Sequence, residues 1–329
     1  MAQEDVVVIL GGAGFIGRAL AARLRGKIRE LRVVSRKVAP EDEPGVRYLR
    51  GDVLDAARVL EVIEGATVVY HLTLEGHWTD GAKNVADACV QHGVRRLVFA
   101  STSDALKLSG RGTIYETDGP DPRPAARNEY SRGKAESEKL LLEYMERQKL
   151  GVVIMRPCLV VGRGGRLAHG GIGRWPTQTT LVSWGDGRNK MPFVLVQDVA
   201  QAMELALDAP GIEGKAFNLA GDVFLSAREY AAVAADRTLR NIRCVPSNLF
   251  TYAAKCMLKG RLKGLLSHKR LEYQTHYDAA SSAMRTMVDN GQSKRLLAWK
   301  PNDSLDTFIR EAIDPFVDPI HPDDFRLSR

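Results

Sequence analysis

Short β-branched apolar runs alternate with longer amphipathic stretches through the first half of the chain. The short runs predict strands over 6–10, 31–35, 46–50, 67–71, 95–100 and 152–156. The longer stretches repeat apolar residues at helical spacing and predict helices near 16–25, 56–63, 81–92 and 128–149. Because parallel strands need crossover connections, which are right-handed, this order of elements predicts an α/β fold with a doubly wound parallel sheet.

The pattern changes after Gly162. A glycine-rich, tryptophan-containing stretch is followed by a predicted helix near 197–207, in which we expect Asp198 to act as a cap. A strand near 216–219 and further helices come next. We expect this half to form a smaller, mostly C-terminal lobe beside the sheet.

The composition is that of an ordinary folded protein, with 44% hydrophobic and 26% charged residues among 329. The opening MAQEDVVVIL carries acids where a secretory signal needs basic residues, and its apolar run ends too early to span a bilayer. A cytoplasmic protein is therefore expected. The four cysteines are scattered, with no histidines at zinc-ligand spacing, so we expect them to be reduced and structural, and we expect no metal site.

The formal charge of +7 arises from the stretch 240–270, which holds no aspartate or glutamate. Lys255, Lys259 and Lys263 recur every four residues beside apolar side chains, which predicts an amphipathic basic helix. The segment 249–266 could rest on an anionic membrane surface or cover an anionic or lipidic substrate, and a solvated helix face is the alternative. A general basic excess is weak evidence for nucleic acid, which we do not expect as a partner.

A glycine-rich turn follows the first predicted strand. Gly11, Gly14 and Gly17 stand at GxxGxxG spacing, and Phe15 and Ile16 open an apolar helical face directly behind them. Such glycines allow a sharp turn, close approach of backbone to a pyrophosphate and tight packing of helix on strand, and the helix N-terminus offers N–H groups to phosphates. The turn predicts a dinucleotide site, with a plain tight turn as the alternative.

The end of the second strand bears on the choice of cofactor. Ser35 lies where an NAD-preferring site usually carries an acid that binds the adenosine ribose, and Arg36 and Lys37 follow it. No carboxylate would repel a 2′-phosphate there, and a guanidinium can pair with it. We predict NADP, with NAD as the alternative. Asp52, beyond the third strand, is placed to accept a hydrogen bond from the adenine amino group, or otherwise to cap the next helix.

Tyr130 and Lys134 form a YxxxK element in a predicted helix, so their side chains share one face. A neighbouring ammonium favours a phenolate, and we expect Lys134 to move the pKa of Tyr130 toward neutrality, as proton transfer requires. Ser101, Thr102 and Ser103 end the fifth strand, at the edge where ligands of open α/β sheets bind. One of these hydroxyls would hold a substrate oxygen opposite the tyrosine, unless all of them serve turns and caps.

With these motifs in order, the chain resembles the extended short-chain dehydrogenase/reductases, also called the NAD-dependent epimerase/dehydratase family, over nearly its whole length. The matching segments are GGAGFIG, GDV, FASTS, YSRGK, MRPCLVVG, PFVLVQDVAQAM, AFNLAG and LAWKPNDSL. The resemblance implies a Rossmann-like fold, a bound dinucleotide and a homodimer formed through long helices.

The resemblance also implies roles for particular residues. Tyr130 would be the acid/base, Lys134 would bind the nicotinamide ribose and lower the tyrosine pKa, and Thr102 would assist catalysis. Together with the motifs above, it gives a set of expected cofactor contacts: Gly11, Gly14, Phe15, Ile16, Gly17, Ser35, Arg36, Lys37, Asp52, Val53, Leu72, Ser101, Tyr130, Lys134, Pro157 and Leu159.

Two departures from the family pattern narrow the subclass. Ser103 and Asp104 follow Thr102 where the nucleotide-sugar dehydratases carry Asp-Glu, and the Arg-Asp pair of many sugar-nucleotide epimerases is missing before Met191. These features and the NADP preference predict a net oxidoreductase that transfers hydride between nicotinamide and a carbonyl or hydroxyl. Its substrate would be a sugar-like, isoprenoid or steroid-like small molecule. A nucleotide-sugar epimerase with tightly bound NAD(P) is the alternative, and the intact Tyr130 and Lys134 disfavour a non-catalytic sensor.

We expect the chain to comprise two units. Residues 1–162 form the expected dinucleotide-binding Rossmann domain, to which 191–220 is expected to return. Residues 163–190 and 221–329 form the expected substrate-binding lobe.

Overall fold

The computed structural model describes residues 4–37, 44–73, 78–106, 112–121, 128–248, 254 and 287–317. Its strands are β1 (Val6–Leu10), β2 (Glu30–Ser35), β3 (Val46–Arg50), β4 (Val68–His71), β5 (Arg96–Ala100), β6 (Thr113–Ile114), β7 (Val152–Pro157), β8 (Leu159–Val161), β9 (Gly173–Thr177), β10 (Thr180–Ser183), β11 (Lys190–Leu195), β12 (Ala216–Leu219), β13 (Phe224–Ser226), β14 (Arg243–Val245) and β15 (Met287–Val288). Its helices are α1 (Phe15–Leu24), α2 (Ala56–Ile63), α3 (Trp78–Gln91), α4 (Glu129–Gln148), α5 (Val196–Leu205), α6 (Ala227–Thr238), α7 (Gly291–Leu296) and α8 (Leu305–Ala312).

The main sheet has seven parallel strands in the order β12-β7-β5-β4-β1-β2-β3. The chain order reverses between β1 and β4, and in open α/β sheets ligands bind in the crevice beyond the carboxyl ends of the strands at such a reversal. The structure thus confirms the doubly wound, Rossmann-like fold that the alternating pattern predicts. The largest difference at a helix start is in α3, which begins three residues before the predicted 81.

Helices cover both faces of this sheet. Along β1, Val7 and Ile9 face a core shared with α1 and α5, and the intervening residues face a second core shared with α2, α3 and α4. Successive side chains of a strand point to opposite faces, so a strand that is apolar at every position is buried on both. The continuous apolar run of β1 is explained by this double burial.

The second half of the chain adds short strands that the sequence pattern does not predict. They form the three-stranded sheets β14-β10-β9 and β13-β11-β8 around a third core. In that core Phe193 stacks on Tyr230, with ring centroids 5.4 Å apart, and meets the edge of Phe308. Strand β12 returns to the edge of the main sheet beside β7. The boundaries of the two expected units stay a prediction.

Two carboxylates near helix starts differ in what they bind. Asp55 caps α2 by accepting a hydrogen bond from the backbone N–H of Arg58 at 3.0 Å, as its position before the helix predicts. Asp198 does not cap α5, because it lies inside the first turn. Its Oδ2 instead accepts a hydrogen bond from the backbone N–H of Asn302 at 3.0 Å, which ties α5 to the C-terminal segment.

Across the described residues, no helix combines the length and the apolar character needed to cross a membrane. The expected basic helix within 249–266 lies, apart from Ala254, outside those residues.

Candidate active site

The glycine turn joins β1 to α1 at the reversal point of the sheet. Gly11 has a φ of +86°, and a Cβ atom there would lie 3.0 Å from the backbone carbonyl carbon of Leu72. A Cβ atom at Gly17 would lie 2.5 Å from the carbonyl oxygen of Gly11. Gly14 precedes α1 and has no side chain to cap it, so the first-turn N–H groups stay available to an anion.

A cleft of about 280 Å³ opens beside this turn. It has apolar walls from Val34, Val59 and Val62, and cationic side chains at its rim. Its lining includes many of the expected cofactor contacts, namely Gly11, Gly14, Ser35, Arg36, Lys37, Asp52, Val53 and Leu72. Phe15, Ile16 and Gly17 lie just behind it in the first turn of α1. A site with a flat apolar slot, a cationic rim and uncapped helix N–H groups fits the adenosine diphosphate half of a dinucleotide.

The rim of the cleft carries the three residues that bear on NADP binding. Ser35 ends β2 half-buried and donates a hydrogen bond from its hydroxyl to the backbone carbonyl of Lys37 at 3.4 Å. Arg36 and Lys37 are exposed.

Asp52 is half-buried, and its Oδ1 accepts a hydrogen bond from the backbone N–H of Leu54 at 3.0 Å. Asp52 therefore also closes the turn that leads into α2.

Thr102 and Tyr130 meet at the carboxyl edge of the sheet. Asn128 caps α4 by accepting a hydrogen bond from the backbone N–H of Ser131 at 2.9 Å, so Tyr130 is the second residue of the helix. The Thr102 side chain hydrogen-bonds Tyr130 and also accepts a bond from the backbone N–H of Asp104 at 3.2 Å. The structure thus brings together the hydroxyl and the phenol that the sequence singles out.

Lys134 lies one helical turn beyond Tyr130 and is 2% exposed. Its Nζ donates hydrogen bonds to the carbonyl oxygens of Ala100 at 2.6 Å and Thr73 at 3.3 Å, and lies 4.7 Å from the ring centroid of Phe99. Burial lowers the pKa of Lys134 to about 7, and the nearby carboxylate of Glu138 acts in the opposite direction. Near neutral pH, this lysine is poised between its charged and neutral forms.

The pKa of Tyr130 differs in direction from the sequence-based expectation. Burial raises it to about 12, the hydrogen bond from Thr102 lowers it in part, and the negative charge of Asp104 raises it further. The expected lowering by Lys134 does not dominate, because the amine is directed to the carbonyls of Ala100 and Thr73 and is itself only partly charged. At neutral pH Tyr130 is therefore a neutral phenol that can donate a proton.

The remaining expected contacts lie around this centre. Ser101 is buried, and its hydroxyl hydrogen-bonds Glu138, so any cofactor contact at Ser101 falls to its backbone. Pro157 ends β7 and is buried, and the half-buried Leu159 begins β8. Cys158 between them donates a backbone hydrogen bond to the carbonyl of Leu219 at 3.1 Å, which holds this segment against β12.

Sequence reasoning missed a buried ion pair behind the site. Glu138 of α4 and Arg156 of β7 are 0% and 2% exposed, and they pair through two hydrogen bonds of 3.0 and 2.6 Å. A signal was present, because an arginine inside an apolar strand requires a buried partner, and Glu138 stands on the helix face shared by Tyr130 and Lys134.

The family to which the chain belongs agrees with the arrangement of these residues. The chain belongs to the NAD-dependent epimerase/dehydratase family, whose model matches residues 7–220. That range runs from β1 to the end of β12 and thus takes in the glycine turn, Thr102, Tyr130 and Lys134. The family resemblance expected from the sequence is confirmed.

Individual relatives cover different reactions. The chain is 31% identical over 256 residues to the 2-alkyl-3-oxoalkanoate reductase of Stenotrophomonas maltophilia (strain K279a). The matched region covers 70% of this chain and 76% of the relative. It is 22% identical over 336 residues to the UDP-glucose 4-epimerase of Vibrio cholerae, covering 94% and 95% of the two chains. Its fold is similar to that of the dTDP-glucose 4,6-dehydratase of Streptomyces venezuelae with NAD bound, with a TM-score of 0.71 at 20% identity, covering 94% of this chain and 96% of the other.

Proposed function

We propose that the protein is an NAD(P)-dependent oxidoreductase that transfers hydride between nicotinamide and a carbonyl or hydroxyl carbon of a small molecule. The observation that carries the proposal is the hydrogen bond between Thr102 and Tyr130. Thr102 lies just beyond the carboxyl end of β5, and Tyr130 lies one helical turn before Lys134 in α4. The 31% identity to an oxoalkanoate reductase supports the oxidoreductase class. The chemistry that the bound cofactor supplies is acceptance or donation of the hydride.

The protein's own residues handle the substrate oxygen and its proton. Tyr130, a neutral phenol at neutral pH, donates the proton to the oxygen of a carbonyl substrate, and in the reverse direction it takes the proton back. Thr102 orients that oxygen through its hydroxyl. Lys134, in its ammonium form, would bind a cofactor ribose hydroxyl, and its positive charge would favour the phenolate left after proton donation.

For the cofactor, we propose a preference for NADP. Its 2′-phosphate would bind at Ser35, Arg36 and Lys37 on the rim of the cleft. A hydroxyl and two exposed cations at the end of β2 suit a 2′-phosphate. The further expected contacts at Phe15, Ile16, Val53, Leu72, Pro157 and Leu159 belong to the same proposal. We also propose that the protein forms a homodimer, is located in the cytoplasm and acts on a sugar-like, isoprenoid or steroid-like substrate.

Replacement of the phenol tests the reaction directly. In Tyr130→Phe, we expect NADPH consumption with an active ketone from a substrate panel to fall by about a hundredfold to ten-thousandfold, because the proton donor is gone. NADPH binding, followed by fluorescence, should be largely retained. Tyr144→Phe removes a phenol from the same helix and is the matched control. Wild-type turnover in Tyr130→Phe would refute the assignment.

A second candidate is a nucleotide-sugar epimerase with tightly bound NAD(P). The observation that favours it is the likeness to a UDP-glucose 4-epimerase along nearly the whole length of both chains. An epimerase oxidises and reduces the same substrate in one turnover. Cofactor retained through purification, together with conversion of a nucleotide sugar without net change in NADPH, would select this candidate over a reductase.

A further inference from the structure

Arg18 places a guanidinium against the glycine turn. It is the fourth residue of α1 and directly follows Gly17, and the side chains of a helix tilt toward its N-terminus. Its Nη1 donates a hydrogen bond to the backbone carbonyl of Ala13 at 2.8 Å. Ala13 and the following Gly14 line the cleft whose shape fits the adenosine diphosphate half of a dinucleotide. The guanidinium is therefore fixed at the edge of that cleft, although Arg18 itself is exposed.

The charge of Arg18 is not balanced by a carboxylate, in contrast to other cations nearby in the sequence. Arg23, at the other end of α1, pairs with Glu204 of α5 at 2.6 Å, and Lys27 pairs with the same carboxylate. Within the part of the chain that the structure describes, Arg18 forms no ion pair and bonds only the carbonyl of Ala13. A guanidinium carries five N–H donors, so this one bond leaves most of them for a second acceptor.

A second basic segment packs on the same turn. Residues 162–167 read GRGGRL, with two exposed arginines and no acid. A Cβ atom at Gly164 would lie 3.5 Å from Nη2 of Arg18, and one at Gly165 would lie 2.8 Å from Cζ of Phe15. The backbone of this segment therefore passes directly beside the guanidinium. Like charges gathered in this way repel one another, and an anion bound between them would relieve the repulsion.

We propose that the side chain of Arg18 binds the diphosphate of the cofactor, with the carbonyl of Ala13 fixing the guanidinium in place. The inference rests on the proposed function, because it requires that the cleft binds a dinucleotide. The first-turn N–H groups of α1 offer neutral donors to the diphosphate. Arg18 adds a full positive charge and a planar set of donors that matches two phosphate oxygens. Because NAD and NADP both carry the diphosphate, Arg18 contributes equally to the binding of either.

The test compares the two nucleotides in Arg18→Gln. We expect calorimetric titration to show that the Kd for NADPH and the Kd for NADH rise together, by about tenfold to a hundredfold, because charge-assisted hydrogen bonds are lost. The ratio of the two affinities should stay that of the wild type. Arg29→Gln removes the same charge from an exposed position just before β2, at the opposite edge of the sheet, and should change neither affinity.

Urea unfolding of the nucleotide-free protein separates binding from a structural role of Arg18 in the turn. We expect the stability of Arg18→Gln to stay close to that of the wild type, because the residue is exposed. Arg18→Lys keeps the charge without the planar guanidinium and is the second variant, should Arg18→Gln not fold. It should weaken the binding of both nucleotides by a smaller factor.

Three results would overturn the proposal. They are wild-type affinity in every folded variant, a loss confined to NADPH, and a loss of affinity that only follows a loss of stability without nucleotide. A wild-type protein that bound neither nucleotide would contradict the proposed function as well. If the wild type binds them and Arg18→Gln binds them equally well, the role of Arg18 alone is refuted, and the reaction is still tested separately by Tyr130→Phe.

Discussion

At the scale of single residues, burial sets the protonation state of the groups around the site. Tyr130 and Cys158 are both shifted toward their neutral forms, and the charge of Asp104 adds to both shifts. Lys134 is shifted toward the neutral amine. The site therefore resists charge, and the carboxylate of Glu138 offsets only part of the shift of the lysine pKa.

The proposed preference for NADP can be tested at Ser35. Ser35→Asp places a carboxylate at the end of β2, where it would repel a 2′-phosphate and accept hydrogen bonds from a ribose. We expect the ratio of NADPH to NADH affinity to fall by about tenfold to a hundredfold, measured by calorimetric titration of both nucleotides. Thr177→Asp, at an exposed position of β9, is the control. An unaltered ratio would argue against the placement of the phosphate at this rim.

The described cysteines should react slowly with alkylating reagents. Burial raises the pKa of the Cys158 thiol to about 12, and it also raises the pKa of Cys89 and of Cys244. The thiolate is the nucleophile, so raising the pKa reduces the reactive fraction at neutral pH. We expect labelling of these three by iodoacetamide to stay well below that of free cysteine and to rise as the pH approaches 12. Peptide mapping by mass spectrometry checks this, and rapid labelling of Cys158 at neutral pH would contradict it.

The sequence predicts the position in the fold of the residues that belong to a local motif. The glycine turn, Thr102 and YxxxK all fall on the elements and edges predicted for them. The sequence-based expectation for the pKa of Tyr130 is wrong, because the direction in which the Lys134 amine points depends on the carbonyls of Ala100 and Thr73. Those carbonyls lie at the end of β5 and just after β4, far from Lys134 in the sequence, and no local spacing encodes their position.

At the scale of elements, the β1–α1 connection shows why the glycine turn admits no side chain. Gly11→Ala would force an L residue to a φ of +86° and press its Cβ atom against the backbone at Leu72. The left-handed conformation alone disfavours alanine by about 1–2 kcal/mol. We expect a larger loss in the free energy of unfolding, and weaker nucleotide binding, both measured with purified protein.

Gly65→Ala supplies the matched control for this prediction. Gly65 also has a positive φ, +68°, but nothing lies within 4 Å of the position of its Cβ atom. The difference between the two variants isolates the contact with Leu72 from the backbone strain. Equal effects in both would show that the close approach at the turn is unimportant.

The strands of the main sheet were largely predictable because they are rich in β-branched and other apolar residues, and burial on both faces makes the inner ones almost wholly apolar, as in VVVIL of β1. The strands of the smaller sheets were not predicted, since most have five residues or fewer and several mix polar and apolar residues without regular alternation, as in GRWPT of β9. Their pairing depends on the core around Phe193 and Tyr230, which assembles residues from widely separated parts of the sequence. Asp198 shows the same limit, since its partner at Asn302 is remote in the chain.

At the scale of the whole molecule, Glu116 joins three distant segments. Its buried carboxylate accepts backbone hydrogen bonds from Asn218 at 3.1 Å, Ser293 at 2.9 Å and Gln292, and one from the Ser293 hydroxyl. It thereby connects the segment after β6 to β12 and to the start of α7. No periodicity in the sequence indicates contacts between residues so far apart.

Replacement of Glu116 should loosen this junction in a pH-dependent way. Glu116→Gln sets an amide N–H against the N–H of Gln292 and should lower the free energy of unfolding by about 1–3 kcal/mol in urea titrations. Burial raises the pKa of Glu116 in the folded state, so its contribution to stability is present below the unfolded-state pKa and is lost as the pH rises through the folded-state value. The difference between wild type and variant should therefore be larger in mild acid than at neutral pH.

Glu146→Gln, at an exposed position of α4, makes the same chemical change away from the junction and is the control for that experiment. A difference that grows as the pH rises would contradict the assigned direction of the pKa shift of Glu116. No difference at any pH would show that the junction contributes nothing to stability.

The position of β12 at the edge of the main sheet has a consequence for protein synthesis. When β7 leaves the ribosome, one of its edges has no partner strand. That partner is β12, which is complete only when Leu219 has been translated. Until then the nascent protein presents an apolar strand edge, which is a template for aggregation. We expect chains stalled between these two strands to depend on chaperones, whereas chains that have passed β12 can close the sheet by themselves.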